Sequence, residues 1–325
     1  MIFPETIRAV LSQWGLSLKT IRPDCDLQGS PERFLFRAAC EDVAGRLFVV
    51  EKIAPDRRQR RQLISTILDN LYADGLKQVV PYLSTPAGQS LAFCEDAWWQ
   101  VSPFVAGTPL DRPGYLHDAA KGEALAQFLC DLCRHTRNLG DQKSLPLFSL
   151  KDYILKLEQD ISRHASDVAP RFASIFDFLW RSFMNAYDTL PVAFCHGDFH
   201  PLNVIWRGDA IAAVIDWEFC GLKPEIYDAA NLMGCIGIEH PSGLTGDLAA
   251  AFIQSMRESS SISGESWRLF PEFVLALRCA WLAEWLRGRD EEMIDLEEAY
   301  MHHLIDNMDE LRESWGIRRT ARCFI

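Results

Sequence analysis

The two most informative segments of the sequence are FCHGDFHPLNVIW, residues 194–206, and AVIDWE, residues 213–218. A compact polar run, HGDFHPLN, follows an apolar strand-like segment. Two further apolar runs flank a turn at residues 208–209, which predicts a β-hairpin within a region that is otherwise helical in pattern. This hairpin would return the chain so that Asp216, at its end, lies beside Asn203, at its beginning.

Three side chains of this stretch follow a recognisable order. His196 is followed after one residue by Asp198 and after four more by Asn203. The order resembles the catalytic loop of protein kinases, with Gly197 where those kinases carry arginine. Glycine there, and a His-Pro pair after the aspartate, are similar to the aminoglycoside phosphotransferase and choline kinase superfamily.

The resemblance implies an ATP- and magnesium-dependent phosphotransferase with an α+β, protein-kinase-like bilobal fold. Asp198 would orient and deprotonate an acceptor hydroxyl, while Asn203 and Asp216 would hold Mg²⁺ against the phosphates. His196 would brace the loop through backbone hydrogen bonds, and His200 would support the reacting groups without contacting them.

HGDFHPLN allows two other interpretations. It could be a polar surface turn, but residue type, order, spacing and the following hairpin would then all coincide by chance. His196 and His200 could instead bind zinc, although Gly197 and Pro201 interrupt the helix that such a pair normally needs.

The residues expected to bind the nucleotide are less sharply defined. By resemblance, Lys52 in FVVEKI would pair with the ATP phosphates, and Gly29 and Ser30 would occupy the place of a glycine-rich loop. An exposed lysine at a strand end is the alternative for Lys52. Ser102 and Val105 would offer backbone hydrogen bonds to adenine, because the proline after Ser102 has no amide hydrogen.

The helix after Lys52 departs from the kinase pattern. It should supply a glutamate to hold the lysine, but Asp56 and Asp69 are the only acidic residues between Ile53 and Leu71. Either Asp69 substitutes for the glutamate, or the lysine relies on phosphate and solvent.

Asp228, in KPEIYDAANLMG, resembles a further aspartate of the family. It is expected to have a structural role and to bind the backbone of the catalytic loop. A charge that favours a helix N-terminus is the competing explanation.

The length of the chain and the hydrophobic periodicity along it predict two lobes. Residues 1–102 would form a nucleotide-binding lobe with a leading helix and a small sheet, residues 103–109 a linker, and residues 110–325 a helical lobe that includes the hairpin. Helices are predicted near 118–139, 150–165, 170–189, 225–238, 245–260, 267–287 and 290–314.

The composition of the chain disfavours some classes of binding partner. The chain has 33 basic and 45 acidic residues, so its net charge of −12 disfavours nucleic acid and anionic membranes. No apolar run of membrane-spanning length occurs. The ten cysteines are scattered, which suits reduced thiols in a cytoplasmic protein.

The acceptor is expected to be a small molecule with a hydroxyl group, and the negative net charge of the chain favours a cationic one. Glu218, Glu284 and Asp290 are candidates for contacting an amine, although charges on an amphipathic helix are usually solvated. A protein serine/threonine kinase is the first alternative. A nucleotide-binding regulator without turnover is the second, because the glycine loop is poor and the helix glutamate is missing.

Overall fold

The computed structural model describes residues 3–27, 34–137, 145–165 and 167–317. The chain divides into two compact units, of which the first contains Met1–Leu110 and Leu202–Cys220 and the second Asp111–Pro201 and Gly221–Ile325. The first unit is rich in β-strands and the second is mostly helical, so the expected α+β class is confirmed. The first unit includes the hairpin, which the sequence assigned to the second part of the chain.

The first unit is built on a five-stranded antiparallel sheet. Its elements are α1 (Pro4–Ser12), β1 (Leu18–Ile21), β2 (Phe36–Asp42), β3 (Leu47–Ile53), α2 (Arg58–Asp74), β4 (Ala92–Cys94), β5 (Ala97–Pro103), β7 (Val204–Arg207) and β8 (Ala210–Val214). The strand order in the sheet is β1-β2-β3-β5-β4. One face of the sheet packs under α1, where Val10 and Leu11 share a core with Val50, Trp99 and Val101. Because Val50 of β3 enters this core, its neighbours Val49 and Glu51 point to the other face of the sheet, away from α1.

The β7–β8 hairpin is tied to the first unit by backbone hydrogen bonds. The Val214 amide donates to the Gln78 carbonyl at 2.7 Å, and the Thr108 amide donates to the Trp206 carbonyl at 2.8 Å. Because both bonds reach residues before Asp111, the hairpin belongs to the sheet-rich unit.

The second unit contains a long helix, α10, whose first half is buried. Its elements are α3 (Ala119–Thr136), α4 (Leu150–His164), α5 (Ala169–Ser182), α6 (Met184–Tyr187), β6 (Val192–Cys195), β9 (Gly221–Pro224), α7 (Tyr227–Glu239), α8 (Asp247–Glu258), α9 (Gly264–Arg268), α10 (Phe270–Gly288), α11 (Glu291–Asp306) and α12 (Met308–Ser314). The first ten residues of α10 are buried, as expected for a largely apolar helix segment, and Glu272 and Arg278 are the two charged residues among them. In the described ranges, no helix is both long and apolar enough to cross a membrane.

Candidate active site

The loop after β6 is held by one carboxylate. Asp228, in the first turn of α7, accepts a hydrogen bond from the His196 amide at 2.6 Å and another from the Gly197 amide at 2.8 Å. Gly197 has a φ of 84°, a left-handed conformation that favours glycine. Asp228 therefore binds the backbone of this loop, and the turn explains why glycine precedes Asp198.

Burial is the largest influence on Asp228 and raises its pKa to about 6, while the two amides and Lys223 lower it. Since a free aspartate has a pKa near 3.8, the folded protein binds a proton here between about pH 4 and 6, and the unfolded chain does not. Stability therefore decreases with rising pH through that window as far as Asp228 is concerned.

We accordingly expect Asp228→Asn to change the pH dependence of stability. Between pH 4 and pH 7 the free energy of unfolding of the variant should rise relative to wild type by roughly 3 kcal/mol, since the asparagine cannot ionise. Urea denaturation across this range measures the difference. Asp188→Asn, at an exposed site, controls for net charge, and a difference independent of pH would contradict the buried placement.

Asp198 is buried beside two histidines. Its amide donates to Nδ1 of His196 at 3.2 Å, which places the proton of the neutral imidazole on Nε2. Nε2 of His200 lies 3.7 Å from Oδ1 of Asp198. Only 6% of Asp198 is exposed. The carboxylate is thus largely shielded from bulk water and has a histidine within reach of one oxygen.

Aromatic side chains pack against the loop that carries Asp198. His196 is fully buried against the edge of Phe199, and the Phe199 ring stacks on Phe128 of α3 at 5.4 Å. The Asn231 side chain donates to the Phe199 carbonyl at 3.2 Å. Side chains from α3 and α7 therefore restrict the motion of the loop that carries Asp198.

The hairpin brings Asn203 and the residue before Asp216 together. Asn203 ends a short 3₁₀ helix, and its carbonyl accepts a hydrogen bond from the Ile215 amide at 2.9 Å. Asp216 has a φ of 68° and a ψ of 54°, a left-handed conformation that aspartate tolerates better than most residues. Asn203 and Asp216 thus stand at the same end of the hairpin.

A cavity of about 330 Å³ lies in the first unit, within the size range of small-molecule sites. Its wall is mainly apolar and includes Val49, Leu68, Val80, Phe104, Ile205 and Val214. Ser102 and Val105, the residues expected near adenine, also line it, as does Asp216. Gly29 and Ser30 lie outside the described residues.

Lys52 does not line this cavity. Successive side chains of a strand point to opposite faces, and in β3 Val49 and Glu51 line the cavity, whereas Val50 enters the core under α1. Lys52 shares the face of Val50, and its Nζ lies 6.0 Å from the centre of the Trp99 ring. Glu51 therefore occupies the cavity-facing position at which the sequence led us to expect a lysine.

A group of charged residues surrounds Glu51, and the sequence interpretation missed all of its members except Glu218. Arg37 Nε lies 3.1 Å from Glu51 Oε1, and Arg61 Nη1 lies 3.8 Å from Glu51 Oε2. Arg61 Nε also lies 3.2 Å from Glu218 Oε2. Burial raises the pKa of Glu51, while Arg61 and Arg37 lower it. We call Arg37, Glu51, Arg61 and Glu218 the charged cluster.

The three residues proposed to bind an amine have protein partners. Glu218 is in the charged cluster, Glu284 pairs with Arg287 one turn away on α10, and Asp290 caps α11 by accepting from the Met293 amide at 3.2 Å. Asp69 is on α2, and burial raises its pKa.

Comparison with known proteins identifies similar phosphotransferases. The model of the phosphotransferase enzyme family (APH) matches residues 41–262. A homoserine kinase from Mesorhizobium japonicum is 26% identical over 202 residues, so the match spans 60% of this chain and 60% of that relative.

Solved structures of several phosphotransferases share the fold. An aminoglycoside phosphotransferase from Alicyclobacillus acidocaldarius has a TM-score of 0.69 at 16% identity and is covered over 97% of both chains. An amicoumacin kinase, solved with AMP-PNP, Ca²⁺ and its ligand, has a TM-score of 0.69 at 15% identity and is covered over 94% of both chains. Because the family model matches well over half of the sequence, this chain is a member of the phosphotransferase enzyme family.

Proposed function

We propose that this protein transfers the terminal phosphate of ATP to a hydroxyl group of a small molecule. The observation that carries the proposal is the loop after β6, whose backbone is held by Asp228 and whose buried carboxylate, Asp198, lies near His200. A carboxylate fixed in this way can accept the proton of an alcohol.

In the proposed reaction, Asp198 orients the acceptor hydroxyl and takes its proton. The alcohol oxygen forms a bond to the terminal phosphorus, the bond from that phosphorus to the bridging oxygen breaks, and ADP leaves. His196 keeps the loop in place through the hydrogen bond that its ring accepts from the Asp198 amide. His200 is proposed to restrain the Asp198 carboxylate.

Asn203 and Asp216 are proposed to hold magnesium. An amide oxygen and a carboxylate are hard donors that suit this ion, and Asp216 lines the cavity. Bound magnesium would neutralise charge on the phosphates. The apolar wall of the cavity and the adjoining Ser102 and Val105 are proposed to receive the adenine ring.

The acceptor is proposed to be a small alcohol that also carries an amine. The homoserine kinase relative supports this class, and a net charge of −12 favours a cationic substrate. Glu218, Glu284 and Asp290 are proposed contacts for the amine, in addition to the protein partners described above.

The direct test is magnesium-dependent release of ADP from ATP, or of GDP from GTP, by the purified protein. Homoserine, choline and an aminoglycoside should be added singly, with Asp198→Asn protein as the control for contaminating kinases. Nucleoside diphosphate released only when one of these acceptors is present would support the proposal. Phosphate transferred to protein, or nucleotide bound without turnover, would contradict it.

A further inference from the structure

We propose that Arg37 and Arg61 bind the phosphates of the nucleotide and that Glu51 positions both arginines. This inference rests on the proposed function, since it concerns how ATP is held. The sequence predicted a lysine on the strand and an acidic residue on the following helix. The structure has the opposite arrangement at the cavity, with the acidic Glu51 on β3 and the basic Arg61 on α2.

The first support is the position of these side chains. Arg37, Glu51 and Arg61 all line the cavity, whereas Lys52 points to the opposite face of the sheet. A carboxylate that faced a triphosphate without cations beside it would repel the ligand. The two guanidinium groups offset the charges of Glu51 and Glu218, the other members of the charged cluster, and both arginines still line the cavity wall.

The second support is that Arg61 is buried with incomplete hydrogen bonding. Only 4% of the residue is exposed, and Nη1 donates to the Tyr82 hydroxyl at 3.0 Å. Nη2 has no hydrogen-bond partner among the described residues. A buried donor without an acceptor is costly, so an arginine at a cavity wall in this state is suited to a ligand that supplies oxygens.

The third support is the way the two arginines are arranged. The guanidinium carbons of Arg37 and Arg61 lie 5.0 Å and 4.8 Å from the centre of the Phe34 ring, which also lines the cavity. Stacking on an aromatic ring and pairing with Glu51 both restrict these long side chains. Planar guanidinium groups held in this way match phosphate oxygens well.

The experiment compares ADP with adenosine in binding to purified wild type, Arg37→Gln, Arg61→Gln and Lys52→Gln, in the presence of magnesium. We expect each arginine variant to weaken ADP binding by about 10-fold or more, because each loses hydrogen bonds to a charged group. Adenosine affinity should change little, because adenosine has no phosphate. Lys52→Gln, the matched loss of a neighbouring cation, should change ADP affinity less than 2-fold.

Using adenosine separates a lost phosphate contact from a damaged fold. A variant that fails to fold would lose affinity for both ligands. If Arg61→Gln does so, it is replaced by Arg61→Lys, which keeps the charge and should retain part of the preference for ADP over adenosine. ADP affinity unchanged in Arg37→Gln and Arg61→Gln, or a loss in Lys52→Gln as large as theirs, would overturn the inference. If wild type binds neither ligand, the proposed function fails instead.

Glu51→Gln tests the positioning role. The amide keeps the size of the side chain but attracts the arginines less strongly, so we expect a KM for ATP that rises several-fold while kcat changes less. An effect on kcat alone would contradict a role in holding the phosphate-binding arginines.

Discussion

Asp198→Asn is expected to lower kcat by about 10²- to 10⁴-fold, the usual contribution of a general base. Asparagine has nearly the same size as aspartate and keeps an oxygen that can face His200, but it cannot take the proton of the acceptor hydroxyl. Because the substitution removes an interaction made in the transition state, the KM for ATP should change little. Initial rates over a range of ATP concentrations, with the acceptor saturating, measure both constants.

Two controls make this result specific. Asp177→Asn removes an equal charge from the exposed surface of α5 and should keep wild-type rates. The affinity of the Asp198→Asn protein for ADP should match that of wild type, because the nucleotide is assigned to the cavity of the first unit. A folded Asp198→Asn protein with full activity would show that another group takes the proton.

Much of the fold follows from periodicity in the sequence. The hairpin predicted around residues 208–209 is present as β7 and β8, and the helix predicted near 150–165 is present as α4. These elements have strong local signals, since the hairpin has a turn with apolar runs and α4 has an amphipathic repeat.

Elements with weak local signals were missed. The segment QVVPYL, residues 78–83, has the apolar composition of a strand, but the structure has an isolated bridge at Val79 in place of a ladder, since proline cannot donate to a ladder. Conversely, β1 was not predicted, because its four residues pair with β2 through contacts that the local sequence does not encode. The strand β9 pairs with β6, with Val192 opposite Pro224 and Cys195 opposite Gly221, and was missed for the same reason.

The charged cluster shows how far the candidate site could be predicted. In FVVEKI, the alternation of a strand already separates Val49 and Glu51 from Val50 and Lys52. The sequence alone did not say which pair faces the core, because each pair contains one valine and one charged residue. The packing of Val50 under α1 decides it, and that packing depends on Trp99 and Val101, some 50 residues away.

Asp216→Asn is expected to lower kcat/KM on the order of 10³-fold, because a metal ion contributes several kcal/mol to phosphoryl transfer. The fold should be retained. Asp216 has left-handed backbone angles, and asparagine is among the few residues that tolerate them as well as aspartate does. The loss should therefore reflect weaker magnesium binding and leave the hairpin intact.

The diagnostic measurement is the magnesium dependence of ATP affinity. Wild type should bind ATP more tightly as magnesium is added, and Asp216→Asn should lose most of this gain while its affinity for adenosine stays the same. Asp209→Asn, which removes a carboxylate from the exposed turn of the same hairpin, should behave as wild type. If Asp216→Asn kept the full magnesium dependence, the ion would have to be held by other groups, and the chemistry proposed for this end of the hairpin would be wrong.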